Sequence, residues 1–188
     1  MLLRALRPDL RIEPLRGNLD TRLRKLDEGH YAAIVLAAAG LIRLGLGHRI
    51  VLNFDTSSML PAAGQGALGL EVRSDRADLL ESLQALAHLP TWLAVTAERA
   101  VSRAMGGSCS MPLAAHATLE GPHMLLKAAW GDEADWSADD AVARTPQKLV
   151  HAERSASVTS LVQARRLGEQ VAGALMAAGA VASVAKAV

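Results

Sequence analysis

The sequence predicts a fold that combines a partial α/β domain with a small α+β domain containing an antiparallel sheet. Between Leu10 and Arg73, strand-like and helix-like patterns alternate, which is typical of a parallel sheet with helices packed on it. After Arg73, two helical segments precede three short strand-like segments and one long helix. The 188 residues suffice for one larger domain or two small ones. We therefore predict an α/β domain at residues 1–73 and an α+β domain at residues 74–188.

The residue pattern of the first half predicts, in order, a strand, a helix, a strand and a helix. Leucines at helical spacing after Asn18 indicate a helix that ends at Gly29. "YAAIVLAAAG" is an apolar run with β-branched residues at its centre, as expected for a strand covered on both faces. The predicted elements are strands at 10–17 and 31–40 and helices at 19–30 and 39–47.

Three arginines lie near the predicted edge of this sheet that is formed by the carboxyl ends of its strands. Ligands bind at this edge in parallel sheets. Arg16 and Gly17 close the first strand, Arg22 lies on the first turns of the helix, and Arg43 follows the second strand through Gly40. A guanidinium group holds a carboxylate through two parallel hydrogen bonds, and two helix N-termini at the same edge favour anions. Each arginine alone reads as an ordinary solvated surface charge. Three at one edge favour a ligand with several negative charges.

The stretch "MLPAAGQGALGLEVR" (59–73) predicts a turn that leads into a strand at 67–72. Gly64, Gly66 and Gly69 imply positive φ or a close backbone approach. A plain connector with a bulge is the alternative. No Gly-Lys-Ser/Thr follows, so it is not a phosphate loop, and its glycines precede the strand, so it is not a dinucleotide fingerprint.

The second half predicts helices packed on one antiparallel sheet. Pro90 separates two helices, and Thr91 is a plausible cap for the second. Gly121-Pro122 joins two strands like a hairpin, and Gly179 ends the last helix. The predicted elements are helices at 76–88, 91–105 and 158–178 and strands at 112–120, 123–131 and 150–157.

Composition excludes several classes of function. A net charge of +1 and 3% aromatic residues argue against nucleic acid or anionic membrane as a partner. The longest apolar stretch, Tyr31 to Ile42, is too short to span a bilayer, and the N-terminus is too short and charged for a signal peptide. The six histidines show no ligand spacing and there is no G-x-S-x-G elbow, so we expect neither a metal site nor serine hydrolysis. A single cysteine favours a reducing compartment, and we expect a cytoplasmic protein.

That cysteine, Cys109, lies in "AMGGSCSMPLAAHA". A lone cysteine is most often a small buried apolar residue. The glycines upstream free the loop and leave room for a bulky group beside the sulfur, which favours a functional role.

Three segments together resemble the second half of the porphobilinogen deaminase (hydroxymethylbilane synthase) family. They are, in order, "LRGNLDTRLRKLDEGHYAAIVLAAAGLIRLGL", "LPAAGQGALGLEVR" and "AERAVSRAMGGSCSMPLAAHA". The match covers most of the chain from Pro8 to Ala117 and is weak from Glu120 onward. The resemblance implies a transferase of haem and tetrapyrrole biosynthesis that joins four porphobilinogen molecules into a linear tetrapyrrole. It also implies a dipyrromethane cofactor held by a thioether to Cys109.

The resemblance assigns roles to other positions as well. Arg16, Arg22 and Arg43 would contact the carboxylates of the growing pyrrole chain. Neighbouring parts of the cleft would be formed around Gly17, Gly40, Gly64 and Gln65. The fold implied for an intact member is two periplasmic-binding-protein-like α/β domains and a third α+β domain. This chain would hold part of the second domain, the strand "ALGLEVR" that returns to the first, and all of the third.

The family's catalytic aspartate has no counterpart at a matched position, so no catalytic residue is expected in this chain. Two functions remain open at this point. One is the assembling transferase, completed by a missing N-terminal portion. The other is a truncated module that only binds tetrapyrrole-like polycarboxylates. In either case we expect residues 1–188 alone not to turn over porphobilinogen.

Overall fold

The structure is a computed structural model that describes residues 1–107, 111–131 and 149–182. Contacts divide the chain into two compact units, one of Met1–Pro8 with Asp55–Val188 and one of Asp9–Phe54. These units follow contacts and are not domains in the sense of the predicted boundary at residue 73. That boundary therefore stays a prediction.

The larger unit contains an antiparallel sheet in the order β1-β2-β3, formed by β1 (Leu113–Glu120), β2 (His123–Gly131) and β3 (Leu149–Ser157). Gly121 and Pro122 form a two-residue turn between β1 and β2, with Gly121 at φ 58°. Glycine supplies the positive φ that such tight hairpins need at low steric cost. The antiparallel sheet and the mixed α+β character that the sequence predicts are confirmed.

Two helices, α5 (Leu89–Ala104) and α6 (Leu161–Ala177), cover one face of this sheet. Alternate residues of each strand meet them, because strand side chains point to opposite faces with a period of two. The side chain of Ser160 accepts a hydrogen bond from the Gln163 amide, which caps α6. The core side chains include Val101, Met105, Met124, Leu126, Leu167, Val171 and Leu175.

The opposite face of the sheet carries a smaller apolar cluster. Leu2, on the short helix α1 (Leu2–Leu6), packs with Ala114 and Ala129. Helix α1 was not among the predicted elements, because five residues are too few to show a helical period.

Helix α4 (Ala77–Gln84) lies within the predicted segment 76–88. The prediction that Thr91 caps the next helix is wrong. Helix α5 already begins at Leu89, with Pro90 in its first turn, where proline costs no intrahelical hydrogen bond. His88 is the N-cap, and its Nδ1 lies 2.8 Å from the Thr91 hydroxyl oxygen.

The smaller unit contains α2 (Leu19–Asp27), α3 (Ala38–Arg43) and a 3₁₀ turn (Gly47–Arg49). Arg49 pairs with Asp27, with Nη2 and Oδ1 2.5 Å apart. Gly29 has φ 76° just past α2, as expected for the predicted stop. Leu23 and Leu41 are its buried apolar side chains among the residues described there.

The strands predicted at 10–17, 31–40 and 67–72 are absent. Residues 10–17, 31–37 and 67–72 have irregular backbone, and residues 38–40 form the start of α3. Their apolar side chains are often exposed, as with Val35 at 63% and Leu68 at 88%. A strand exists only when a neighbour pairs with its amide and carbonyl groups, and the described residues supply no such neighbour here. The prediction of a parallel sheet is therefore wrong for the chain as it stands. Gly40, expected at a strand end, lies inside α3 instead.

Candidate functional site

The predicted site residues fall into three groups. Arg16, Gly17, Arg22, Gly40 and Arg43 belong to the unit of residues 9–54, whereas Gly64 and Gln65 belong to the larger unit. Cys109 lies outside the described residues, so its role stays a prediction.

The first group contains one direct contact between predicted residues. The Nε of Arg22 donates a hydrogen bond to the carbonyl oxygen of Gly17 at 2.8 Å, just before α2 begins. Gly17 has φ 120°, which L-residues with a side chain rarely adopt. The Asn18 side chain accepts from the Thr21 amide at 2.9 Å and caps the helix. Arg22 is half-buried beside this turn, and its Nη groups have no partner among the described residues.

Arg16 and Arg43 are both exposed. Arg43 is the last residue of α3, and Gly40 lies one turn before it, with no atom within 4 Å of the position that an added β-carbon would take. Neither arginine shares a hydrogen bond with another predicted site residue in the described part of the chain. The structure thus joins Arg22 to Gly17 and leaves the grouping of all three arginines a prediction.

Gly64 and Gln65 lie in a turn that is fixed to the core of the larger unit. Gly64 and Gly66 have φ 79° and 85°, so a positive φ is confirmed at these two glycines, whereas Gly69 does not have one. The Gln65 amide donates to the Ala62 carbonyl at 3.0 Å, and the Ala115 amide of β1 donates to the Pro61 carbonyl at 3.1 Å. The Gln65 side chain remains exposed.

A buried carboxylate, that of Glu98 on α5, binds this turn through a hydrogen bond. Its Oε2 accepts the Gly64 amide at 2.7 Å, and its Oε1 accepts the Ala117 amide of β1 at 2.8 Å. His116 Nδ1 lies 3.6 Å from Oε1. Only 5% of Glu98 is exposed, so one carboxylate ties the turn, α5 and β1 together inside the core.

Glu98 was not among the site residues predicted from the sequence. The available signal was its position, because it lies one turn before Val101 on the apolar side of α5, where a charge needs partners.

Burial raises the pKa of Glu98 above its ordinary value, although the Ala117 and Gly64 amides and His116 act in the opposite direction. In the pH window between the ordinary pKa and this raised one, the folded state holds a proton that the unfolded chain has released. The free energy of unfolding contributed by Glu98 therefore falls as pH rises through this window.

We expect wild-type protein to lose stability relative to Glu98→Gln as pH rises through that window, because glutamine does not titrate. Urea denaturation of both proteins between about pH 4.5 and pH 8 measures this difference. Glu81→Gln, at an exposed position of α4, is the matched control. The prediction would be contradicted if the free energy of unfolding of the wild type, minus that of Glu98→Gln, stayed constant or increased with pH.

No group of three or more metal-ligating side chains occurs in residues 1–107, 111–131 and 149–182. Within the same ranges, no helix combines the length and apolarity needed to cross a bilayer.

Comparisons with known proteins identify what the chain is similar to. Residues 1–81 match the family model described as porphobilinogen deaminase, dipyrromethane cofactor binding domain, and residues 92–177 match the model of the porphobilinogen deaminase C-terminal domain. The predicted residues from Arg16 to Gln65 fall in the first match, and Cys109 falls in the second.

Curated relatives carry the same name. The porphobilinogen deaminase of Albidiferax ferrireducens is 64% identical over 94% of this chain and 53% of its own length. That of Paraburkholderia phytofirmans is 52% identical over 95% of this chain and 49% of its own. That of Bordetella parapertussis is 48% identical over 98% of this chain and 54% of its own. The chain thus spans about half the length of the curated relatives it matches.

Proposed function

The chain belongs to the porphobilinogen deaminase family, and from this membership we propose that it forms part of a hydroxymethylbilane synthase. Such an enzyme joins four porphobilinogen molecules head to tail, with loss of ammonia at each step. The observation that carries the proposal is the match of two consecutive family models over residues 1–81 and 92–177. No observation favours the alternative of a module that binds polycarboxylates without turnover.

Each residue of the site has a binding task in this proposal. The thiol of Cys109 forms the thioether to the dipyrromethane cofactor. Arg16, Arg22 and Arg43 bind the acetate and propionate groups of the pyrrole rings, because a guanidinium matches the geometry of a carboxylate. The hydrogen bond from Arg22 to the Gly17 carbonyl supports this, since it fixes the guanidinium while leaving further N–H donors available.

The turn at Gly64 and Gln65 forms a wall of the same cleft in this proposal. The hydrogen bonds that join this turn to Glu98 and to β1 support the proposal, because they hold a glycine-rich backbone in one position. Backbone without bulky side chains allows a flat ring system to approach closely.

The fold of the whole protein is a further part of the proposal. Segments 10–17, 31–40 and 67–73 become strands of periplasmic-binding-protein-like α/β domains when an N-terminal portion supplies neighbouring strands. Their exposed apolar side chains, such as Leu68 and Val35, support this. Residues 1–73 then belong to the second domain and residues 74–188 form the third. The single cysteine and the pathway are consistent with a cytoplasmic location.

Porphobilinogen turnover tests this function. A fusion of this chain to the part of the 64%-identical relative that it does not span should form uroporphyrin from porphobilinogen. Residues 1–188 alone should not, because no matched position holds the catalytic carboxylate, and loss of a group that stabilises transition-state charge costs about a hundredfold or more.

Alanine at Arg16, Arg22 or Arg43 in the fusion protein should weaken binding of the pyrrole chain by about 2–5 kcal/mol where the pair is desolvated. Lysine should rescue poorly, since it lacks the second parallel hydrogen bond. Arg24→Ala is the control, because Arg24 pairs with Glu28, the C-cap of the same helix. A fusion protein without turnover would refute the function, and wild-type kinetics in all three variants would refute these roles.

A further inference from the structure

Glu98 is the one charged residue that is buried in the part of the chain that the structure describes. From α5, it accepts the Gly64 amide of the glycine-rich turn at 2.7 Å and the Ala117 amide of β1 at 2.8 Å. Burial of a carboxylate costs free energy of desolvation, and the raised pKa of Glu98 reflects that cost. An uncharged anchor would avoid the cost, so stability alone does not account for a carboxylate at this position.

The two hydrogen bonds of Glu98 require a carboxylate. Each oxygen faces a backbone N–H donor, one from Gly64 and one from Ala117. A glutamine side chain would offer one acceptor oxygen, and its NH₂ group would face the other donor. Only the ionised side chain satisfies both amides at once.

The hydrogen bond to Gly64 holds the middle of the turn, directly before Gln65. In the described part of the larger unit, two hydrogen bonds join residues 61–67 to other elements. One is made by the Pro61 carbonyl, at the first residue of the turn, and the other by the Gly64 amide with Glu98. Without the second, packing alone would hold the residues that follow Pro61.

We propose that Glu98 is the positioning residue of Gln65, whose exposed side chain it orients through the Gly64 amide. Gln65 lies between two glycines with positive φ, at 79° and 85°, so the chain reverses on both sides of it. A rotation of the Gly64 peptide would therefore turn the Gln65 side chain in a new direction. The functional part of this inference, that Gln65 then meets the substrate, rests on the proposed function.

Amide hydrogen exchange of the 188-residue chain, measured residue by residue, tests the orientation of the turn. In Glu98→Gln, the single acceptor oxygen should remain with Ala117, because β1 is fixed in the sheet and the turn can move. Exchange of the Gly64 amide should then accelerate about ten- to hundredfold, as expected when a hydrogen bond to a charged group is lost. Glu81→Gln, at an exposed position of α4, is the matched control and should leave this rate unchanged.

Glu98→Met is a second variant with the same expected change at Gly64. Its side chain has similar length, no acceptor oxygen and no charge to bury, so it can fold even where Glu98→Gln does not. Loss of the fold in both variants would show that the carboxylate is needed for folding itself, and would overturn the positioning role.

A double-mutant cycle of Glu98→Gln and Gln65→Ala tests whether Glu98 acts through Gln65. The readout is kcat/KM of the fusion protein for porphobilinogen. Each single variant should lower kcat/KM about tenfold, and the double variant should lower it no further. A merely structural role of Glu98 would give effects that multiply, because the Gln65 side chain is exposed and lies outside the core.

The two experiments separate this inference from the proposed function. Wild-type exchange of the Gly64 amide in a folded Glu98→Gln variant overturns the inference, and so do multiplying effects in an active fusion protein. An inactive fusion protein without substitutions refutes the proposed function instead. Accelerated exchange at Gly64 then still supports the positioning of the turn by Glu98, because that measurement needs no turnover.

Discussion

Replacement of Cys109 by serine is expected to abolish attachment of the dipyrromethane cofactor and, with it, the turnover of porphobilinogen by the fusion protein. Cys109 is the only thiol in the chain, and serine cannot form a thioether. The family model that matches residues 1–81 is that of the dipyrromethane cofactor binding domain, so a cofactor is expected in the assembled protein.

Intact-mass measurement of the fusion protein tests this prediction. The wild type should carry the added mass of two pyrrole units, and the Cys109→Ser variant should show the bare polypeptide mass. Ser108→Ala and Ser110→Ala, which alter the immediate neighbours of Cys109, are the controls and should keep the adduct. If the N-terminal part of the fusion contributes a cysteine, that cysteine should be replaced by serine first. An adduct that survives the loss of Cys109 would show that attachment occurs elsewhere.

Replacement of Gly168 by alanine is expected to destabilise the larger unit by about 1–3 kcal/mol. Gly168 lies where α6 crosses α5, and an added methyl group would overlap the carbonyl oxygen of Ala97 and lie 2.5 Å from the β-carbon of Ala100. The Ala97 carbonyl is helix backbone and cannot rotate aside, so the two helices would have to separate. That separation would loosen packing around Val171 and Val101, which are fully buried.

Gly173→Ala provides a control on the same helix. No atom lies within 4 Å of the position of its added methyl group, and the site is exposed. Alanine should therefore stabilise α6 by up to about 1 kcal/mol through helix propensity. Urea denaturation of the 188-residue chain should thus shift in opposite directions for the two variants. A stabilising Gly168→Ala would mean that the helices do not approach this closely.

Local sequence determined those parts of the fold whose stabilising contacts are close in the chain. The strands at 113–120 and 123–131 could be predicted because the turn at Gly121-Pro122 and the alternation of side chains lie within a few residues of each other. The last helix could be predicted from its apolar spacing and from Gly179, which has φ 102°. In the site, the turn around Gly64 could be predicted, because its positive φ depends on glycine itself.

Tertiary structure decided the features whose partners are distant in the chain. The apolar run at 31–40 has the composition of a buried strand. Its residues 31–37 nevertheless have irregular backbone and its last three begin α3, because no strand among the described residues pairs with it. Glu98 shows the same dependence at the site, since its partners Gly64 and Ala117 lie 34 and 19 residues away. A periodic pattern shows which side of an element faces the core, but the partner that satisfies a backbone amide or a buried charge is fixed by folding.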